Sequence, residues 1–238
     1  MKMEGKSEYD VKGEYCSIRD ILVLPDGQVL LADKGNETVK LLNQQFKLVR
    51  SCKVSGEPWG MCQITPSEVG VTVGSEVQFI KINNSNLETD RKLKLQHKCF
   101  SISHHQGALF VTSGTALYKY SKSGKLFNKL HEVNCVTVFK PVWQSLSLAV
   151  SLTGDKLYIA DPFNDNLLTL TMDGSVLATF KDPELQCPIY VYVTGRAVGS
   201  LPLWLQYGMG FRTHGQSATT AALPPLLWDK TTRSWCTK

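Results

Sequence analysis

The 238-residue chain contains no run approaching the roughly 18 consecutive apolar residues of a membrane-spanning helix, so no membrane partner is expected. Its opening stretch, Met1-Lys2-Met3-Glu4-Gly5-Lys6, carries charge where a secretory leader needs an apolar core, and a cytoplasmic location follows as the expectation. Disulfide-framework and zinc signatures are missing too. The seven cysteines, at positions 16, 52, 62, 99, 135, 187 and 236, stand singly, are odd in number and include no Cys-x-x-Cys, so reduced, buried thiols are the reading. Asn36-Glu37-Thr38 and Asn83-Asn84-Ser85 match the glycosylation sequon but carry little weight without a leader. Charge of one sign is scarce: 26 Lys and Arg against 21 Asp and Glu leave a formal +5, too mild by itself to argue for a nucleic acid. No nucleophile, metal-ligand or phosphate-loop motif is present, so no catalytic residue, metal or cofactor is assigned and the chain is read as not an enzyme.

What the sequence does contain is a repeat. Pro25 to Leu42 and Thr153 to Leu170 share a Gly/Asp turn, an apolar strand, an Ala-Asp pair (Ala32-Asp33, Ala160-Asp161), an Asn three residues on (Asn36, Asn164) and a second apolar run. Matching positions lie 128 apart, about three periods of roughly 43 residues and within the range of propeller blades. A hydrophobic content of 42% and a charged content of 20% are those of an ordinary folded domain.

Taken in order, residues 1–14 are polar and read as an arm, and from Cys16 the pattern becomes short strands punctuated by turns. The first unit offers strands around Ile18 to Leu24, Val29 to Ala32, Val39 to Leu42 and Phe46 to Cys52, broken by Pro25-Asp26-Gly27. A second opens at Gly56-Glu57-Pro58-Trp59-Gly60, and a third near Cys99 with a turn expected at His104-His105-Gln106-Gly107. A fourth runs from Cys135 to Phe180, interrupted by an insertion-like 140–144. A fifth begins at Cys187-Pro188, but the period is lost beyond Gly199. Residues 200–238 are therefore read as a divergent tail not native to the pattern, with a short helix around Leu201 to Tyr207 as one option.

The two segments Asp26-Gly27-Gln28-Val29-Leu30-Leu31-Ala32-Asp33-Lys34-Gly35-Asn36 and Leu157-Tyr158-Ile159-Ala160-Asp161-Pro162-Phe163-Asn164 resemble the NHL-type six-bladed β-propeller repeat, in particular the degenerate repeats of tripartite-motif proteins. The fold class is accordingly all-β: an incomplete NHL-like β-propeller of four-stranded blades over 15–199, with about four to five of the six blades that the resemblance implies. The resemblance also implies a platform for protein or RNA partners, which in tripartite-motif proteins follows the RING, B-box and coiled coil that give ubiquitin ligase activity. No RING or B-box zinc spacing occurs here.

The expected function is a non-catalytic protein-interaction propeller, the recognition part of a tripartite-motif-like ligase. The alternatives are an RNA-binding propeller and, less favoured, a metal-dependent hydrolase of the lactonase kind. The last needs hard ligands around the channel, where the inner strands offer Ser17, Arg19, Gln63, Ser101, Ser103, Ser145 and Ser147. The candidate partner-binding residues lie on the loops between second and third strands and on blade-entry loops: Lys34, Asn36, Trp59, Phe163 and Asn164. Trp59 and Phe163 admit two readings, an exposed anchor for a peptide or base and a packing residue over the blade edge. Asp33 and Asp161 read as turn residues that accept backbone N–H bonds. His104 and His105, being adjacent, point apart on a strand, and Lys92, Lys94 and Lys98 form a solvated face.

Overall fold

A computed structural model describes residues 16–133, 145–183, 185, 187–193, 198–202, 228–229 and 234–235. Within them lie four four-stranded antiparallel blades. The first is β1 (Ile18–Val23), β2 (Val29–Asp33), β3 (Thr38–Leu42) and β4 (Leu48–Lys53), and the second is β5 (Pro58–Thr65), β6 (Glu68–Val73), β7 (Glu76–Asn83) and β8 (Asn86–Lys94). The third is β9 (Ile102–His105), β10 (Ala108–Ser113), β11 (Ala116–Ser121) and β12 (Leu126–Glu132), and the fourth β13 (Ser147–Val150), β14 (Lys156–Asp161), β15 (Asn166–Thr171) and β16 (Val176–Lys181). A fifth sheet pairs β17 (Pro188–Val193) with β18 (Val198–Pro202), and a short hairpin of β19 (Trp228–Asp229) and β20 (Ser234–Trp235) adds to the free edge of β1 through Ile18 and Trp235. The all-β propeller expectation therefore holds. Among the described residues no helix is long and apolar enough to cross a membrane.

Each blade runs from an inner to an outer strand, and burial is highest in the middle of the blade and lowest in the outer strand. β2 is buried at every residue, whereas all of β16 is exposed. The second strand of a blade is covered on both sides, so its sequence is a nearly unbroken apolar run rather than an alternating one. Leu30 and Ala32 join Val69, Val71 and Val73 in the core between blades one and two, while Val29 and Leu31 turn to the other face of blade one. Phe79 and Val77 meet Leu109 and Val111 between blades two and three, and Phe110 and Leu117 meet Leu157 and Ile159 between three and four. Close approach of blades also selects Gly60, where a Cβ would lie 2.5 Å from the Phe100 carbonyl oxygen.

Polar staples cross the same boundaries. Thr72 Oγ1 accepts the Gly60 N–H (2.8 Å) and donates to the Phe100 carbonyl (2.6 Å), tying blade two to the entry of blade three. Thr112 repeats this one blade on, accepting from Ser101 N–H (2.9 Å) and donating to the Leu146 carbonyl (2.9 Å). Both threonines are fully buried, so each satisfies backbone groups that water cannot reach.

Several expectations need correction. Phe46 does not start β4 but occupies a left-handed turn position (φ 59°), closing the loop through its N–H bond to Asn43. His104 and His105 end β9, and the turn is Gln106-Gly107, both with positive φ as a tight hairpin requires. Leu201 and Pro202 belong to β18, not to a helix. The arm 1–14, the insertion 140–144 and most of the tail 200–238 lie outside the described residues.

Thr112→Val keeps the shape of the side chain and removes its hydroxyl, stranding the Ser101 N–H and weakening the Leu146 junction. It is expected to lower stability by about 1–3 kcal/mol, as measured by urea unfolding.

Candidate functional site

The turns from second to third strand gather on one face with the segments that enter each blade. Lys34 N–H bonds the Ser17 carbonyl, Cys99 N–H the Gly74 carbonyl and Leu146 N–H the Gly114 carbonyl, while Cys187 N–H bonds Asp165 Oδ1 at 2.7 Å. The turns are of two kinds. In blades one and four a four-residue turn follows an aspartate; in blades two and three a two-residue turn begins with Gly74 or Gly114, whose φ of +59° and +55° a side chain would resist.

Asp33 is the centre of the first turn. Its carboxylate accepts bonds from Asn36 Nδ2 (2.7 Å), Asn36 N–H (3.3 Å), Ser17 N–H (3.1 Å) and Lys40 Nζ (2.6 Å), and both Asp33 and Lys40 are buried. Burial alone would push the Asp33 carboxyl up, but these hydrogen bonds and the charge of Lys40 outweigh it and hold the group below the usual carboxylate range. Asp161 organises the blade-four turn in the same way, accepting from Phe163 N–H (2.9 Å), Asn164 N–H (3.3 Å) and Asn164 Nδ2 (2.7 Å), with Leu168 at the position that Lys40 fills in blade one.

Between blades one and two this face opens into a cleft of about 310 Å³, lined in part by Ser17, Arg19, Lys34, Asn36, Glu37 and Glu57. Two β-bulges shape it. Pairing passes from Ile18–Asp33 to Asp20–Ala32, so Arg19 is an extra residue on β1; it passes from Pro58–Val73 to Met61–Val71, so β5 gains one residue across Trp59-Gly60. A bulge re-aims the side chain it carries, and here the two bring a guanidinium and an indole together. Arg19 Cζ lies 4.9 Å and Lys34 Nζ 4.6 Å from the Trp59 ring centroid, both within cation–π range, and Phe100 meets the same ring edge-on at 5.2 Å. Lys34 also pairs with Glu57 at 3.0 Å. Arg19 has no carboxylate within ion-pair distance among the described residues, and its Nε is buried without a hydrogen-bond partner.

The strand behind the cleft holds a second titratable group. Asp20 accepts the N–H of Met61 (2.6 Å) and of its own neighbour Ile21 (2.8 Å). Burial pushes its carboxyl up to about 7, against the pull of those two N–H bonds. From blade five, Tyr190 Oη donates to the Arg19 carbonyl at 2.6 Å; burial, with Asp20 nearby, pushes this phenol up to about 12, so it keeps the proton it donates.

The structure thus brings Lys34, Asn36 and Trp59 to one place. Lys34 and Asn36 line the cleft, and Trp59, half-buried, supports its cations. Phe163 and Asn164 stand elsewhere: Phe163 packs against the core between blades three and four, and Asn164 braces Asp161. Arg19 was weighed only as a poor channel ligand, because a bulge leaves no mark in the apolar pattern. Its one trace in the sequence is the charged pair Arg19-Asp20 inside an inner strand that is otherwise apolar.

No family model matches the chain, and no curated protein matches its sequence. Solved structures do. A streptogramin B lyase superposes with a TM-score of 0.65 at 12% identity, covering 83% of this chain and 66% of that one. A catalytically inactive virginiamycin B lyase from Staphylococcus aureus, solved with quinupristin, gives 0.60 at 12% identity over 85% of this chain and 75% of its own. A functionally unknown protein from Desulfotomaculum acetoxidans gives 0.57 at 14% identity, covering 78% of this chain and 62% of that one. The chain has the β-propeller fold. The expectation that it is not an enzyme is corrected by these likenesses: it rested on missing motifs and a missing RING, yet propellers of this shape include lyases. At such identities the likeness establishes fold and assigns no activity.

Two substitutions test the electrostatics. Between pH about 4 and 7 the folded state keeps the Asp20 proton that the unfolded chain releases, so this group's contribution falls as pH rises and levels off above 7. Asp20→Asn, which still accepts from Met61, is expected to gain stability relative to the parent across that window in urea melts. Asp33 has the opposite sign: its contribution is present at neutral pH and lost as acid protonates it. Lys40→Met, which strips a buried carboxylate of its cation, is expected to cost about 3 kcal/mol and move the acid-unfolding midpoint to higher pH.

Proposed function

We propose that the chain is a recognition propeller whose turn face binds a segment of a partner protein in the cleft between blades one and two. The observation that carries this reading is the convergence of Arg19 and Lys34 on the Trp59 ring beside an open cleft. Aromatic and arginine side chains dominate the energetics of protein interfaces, and a site built on sheet edges is already rigid before its partner arrives. The resemblance of the Asp33–Asn36 and Asp161–Asn164 turns to NHL repeats supports a finer form of this reading, the partner-recognition part of a tripartite-motif-like ligase. The RNA reading draws on the formal charge of +5, but the cleft sets Glu37 and Glu57 beside Arg19 and Lys34, whereas a phosphate-tracking surface needs cations in series without carboxylates among them.

The test is affinity capture by the full chain and by a variant carrying Lys34→Glu and Trp59→Ala. Proteins held by the parent and lost from the variant are the expected outcome. Equal recovery by both, or retention abolished by ribonuclease, would argue against the cleft as a protein site.

A further inference from the structure

We infer that the cleft anchors a carboxylate, the side chain of an Asp or Glu in the bound segment, and that Arg19 is the residue that grips it; this rests on the recognition reading above. The other charged groups of the cleft are accounted for. Lys34 is engaged by Glu57 at 3.0 Å, and Glu37 is exposed on the turn, where its carbonyl accepts the Val54 N–H. Arg19 is left with a full charge, no acid partner among the described residues and an Nε whose N–H bonds nothing. The Nε is covered by the protein itself, so it is the charge of the guanidinium, not this N–H, that a group entering the cleft can meet.

Three features make the partner of this guanidinium a carboxylate. A guanidinium offers donors in a planar fork that fits two carboxylate oxygens at once. The Trp59 ring, 4.9 Å from Cζ, holds that fork in place, so little side-chain freedom remains to be lost on binding. One unneutralised cation balances one carboxylate, while a dianionic phosphate would meet repulsion from Glu57 and Glu37 on the same rim. The bulge at Arg19 explains how an inner-strand residue comes to face the cleft at all: without the extra residue, the pleat would assign it by strict alternation.

The experiment selects random twelve-residue peptides displayed on phage against the 238-residue chain, then resynthesises the binders with each Asp or Glu replaced by its amide. The expected result is a shared acidic position whose amide form binds at least about tenfold more weakly, the loss of one charge-assisted bond. Arg19→Gln should cause a similar loss and erase the difference between acid and amide peptides. Arg19→Lys, which keeps charge but not the fork, should fall between, and Lys34→Gln should matter less. The Arg19 carbonyl that accepts from Tyr190 is unchanged in each variant, and the amide peptides test the inference on the unaltered protein. Peptides that bind equally as acid and amide overturn the carboxylate anchor and leave the recognition reading standing. Failure to recover any peptide, or retention of an RNA oligonucleotide pool in its place, overturns the recognition reading itself.

Discussion

A blade of this protein cannot bury its own faces. Each sheet is apolar on both sides along its second strand and must be covered on both, so it is stable only when stacked against its neighbours. Leu30, Val71, Leu109, Phe110 and Leu157 are essentially withdrawn from water for this reason, and the larger hydrophobic clusters lie between blades, with a smaller one on the other face of blade one. The polar staples of Thr72 and Thr112 follow from the same geometry. Where one sheet's edge meets the next blade's entry segment, backbone groups are sealed from solvent and need a hydroxyl to serve them.

The turn face is the by-product of that stacking. Once blades are fixed edge to edge, the connections from second to third strand are forced beside the segments entering the next blade, and each junction has to be locked. Blades one and four lock it with a carboxylate that gathers its own turn; blades two and three use glycine hairpins with a threonine two residues before the glycine. The cleft lies at a junction of the first kind, where the longer turn of Asp33 to Thr38 stands beside the Glu57-Pro58 entry and leaves room between them.

This division explains what could be read from the residues alone. An Ala-Asp pair followed by Asn at a fixed offset is a chemical signature, so the first and fourth blades announced themselves and fixed the period. The middle blades were recognisable only as apolar runs broken by glycine, because a two-residue turn needs no side chain to hold it. Strand positions follow well from periodicity within the four blades, with errors where a turn holds an aromatic residue, as at Phe46, or where a strand continues through polar ones, as at His104 and His105; beyond Gly199, where the period is lost, a strand stands at Leu201 and Pro202 in place of a helix. The site was half legible. Lys34, Asn36 and Trp59 follow from loop position, but Arg19 depends on a pairing slip that exists only once two strands meet, and of the two readings open for Phe163 the structure takes the packing one.

The bond from Tyr190 to the carbonyl of Arg19 spans 171 positions of sequence and fastens the fifth sheet to the bulge of the first. The residue at the mouth of the cleft is therefore also the point at which the fifth sheet is fastened to the first blade. Removing the phenol would loosen the backbone that carries the guanidinium, so a residue of the fifth sheet helps to set the shape of a cleft it does not line.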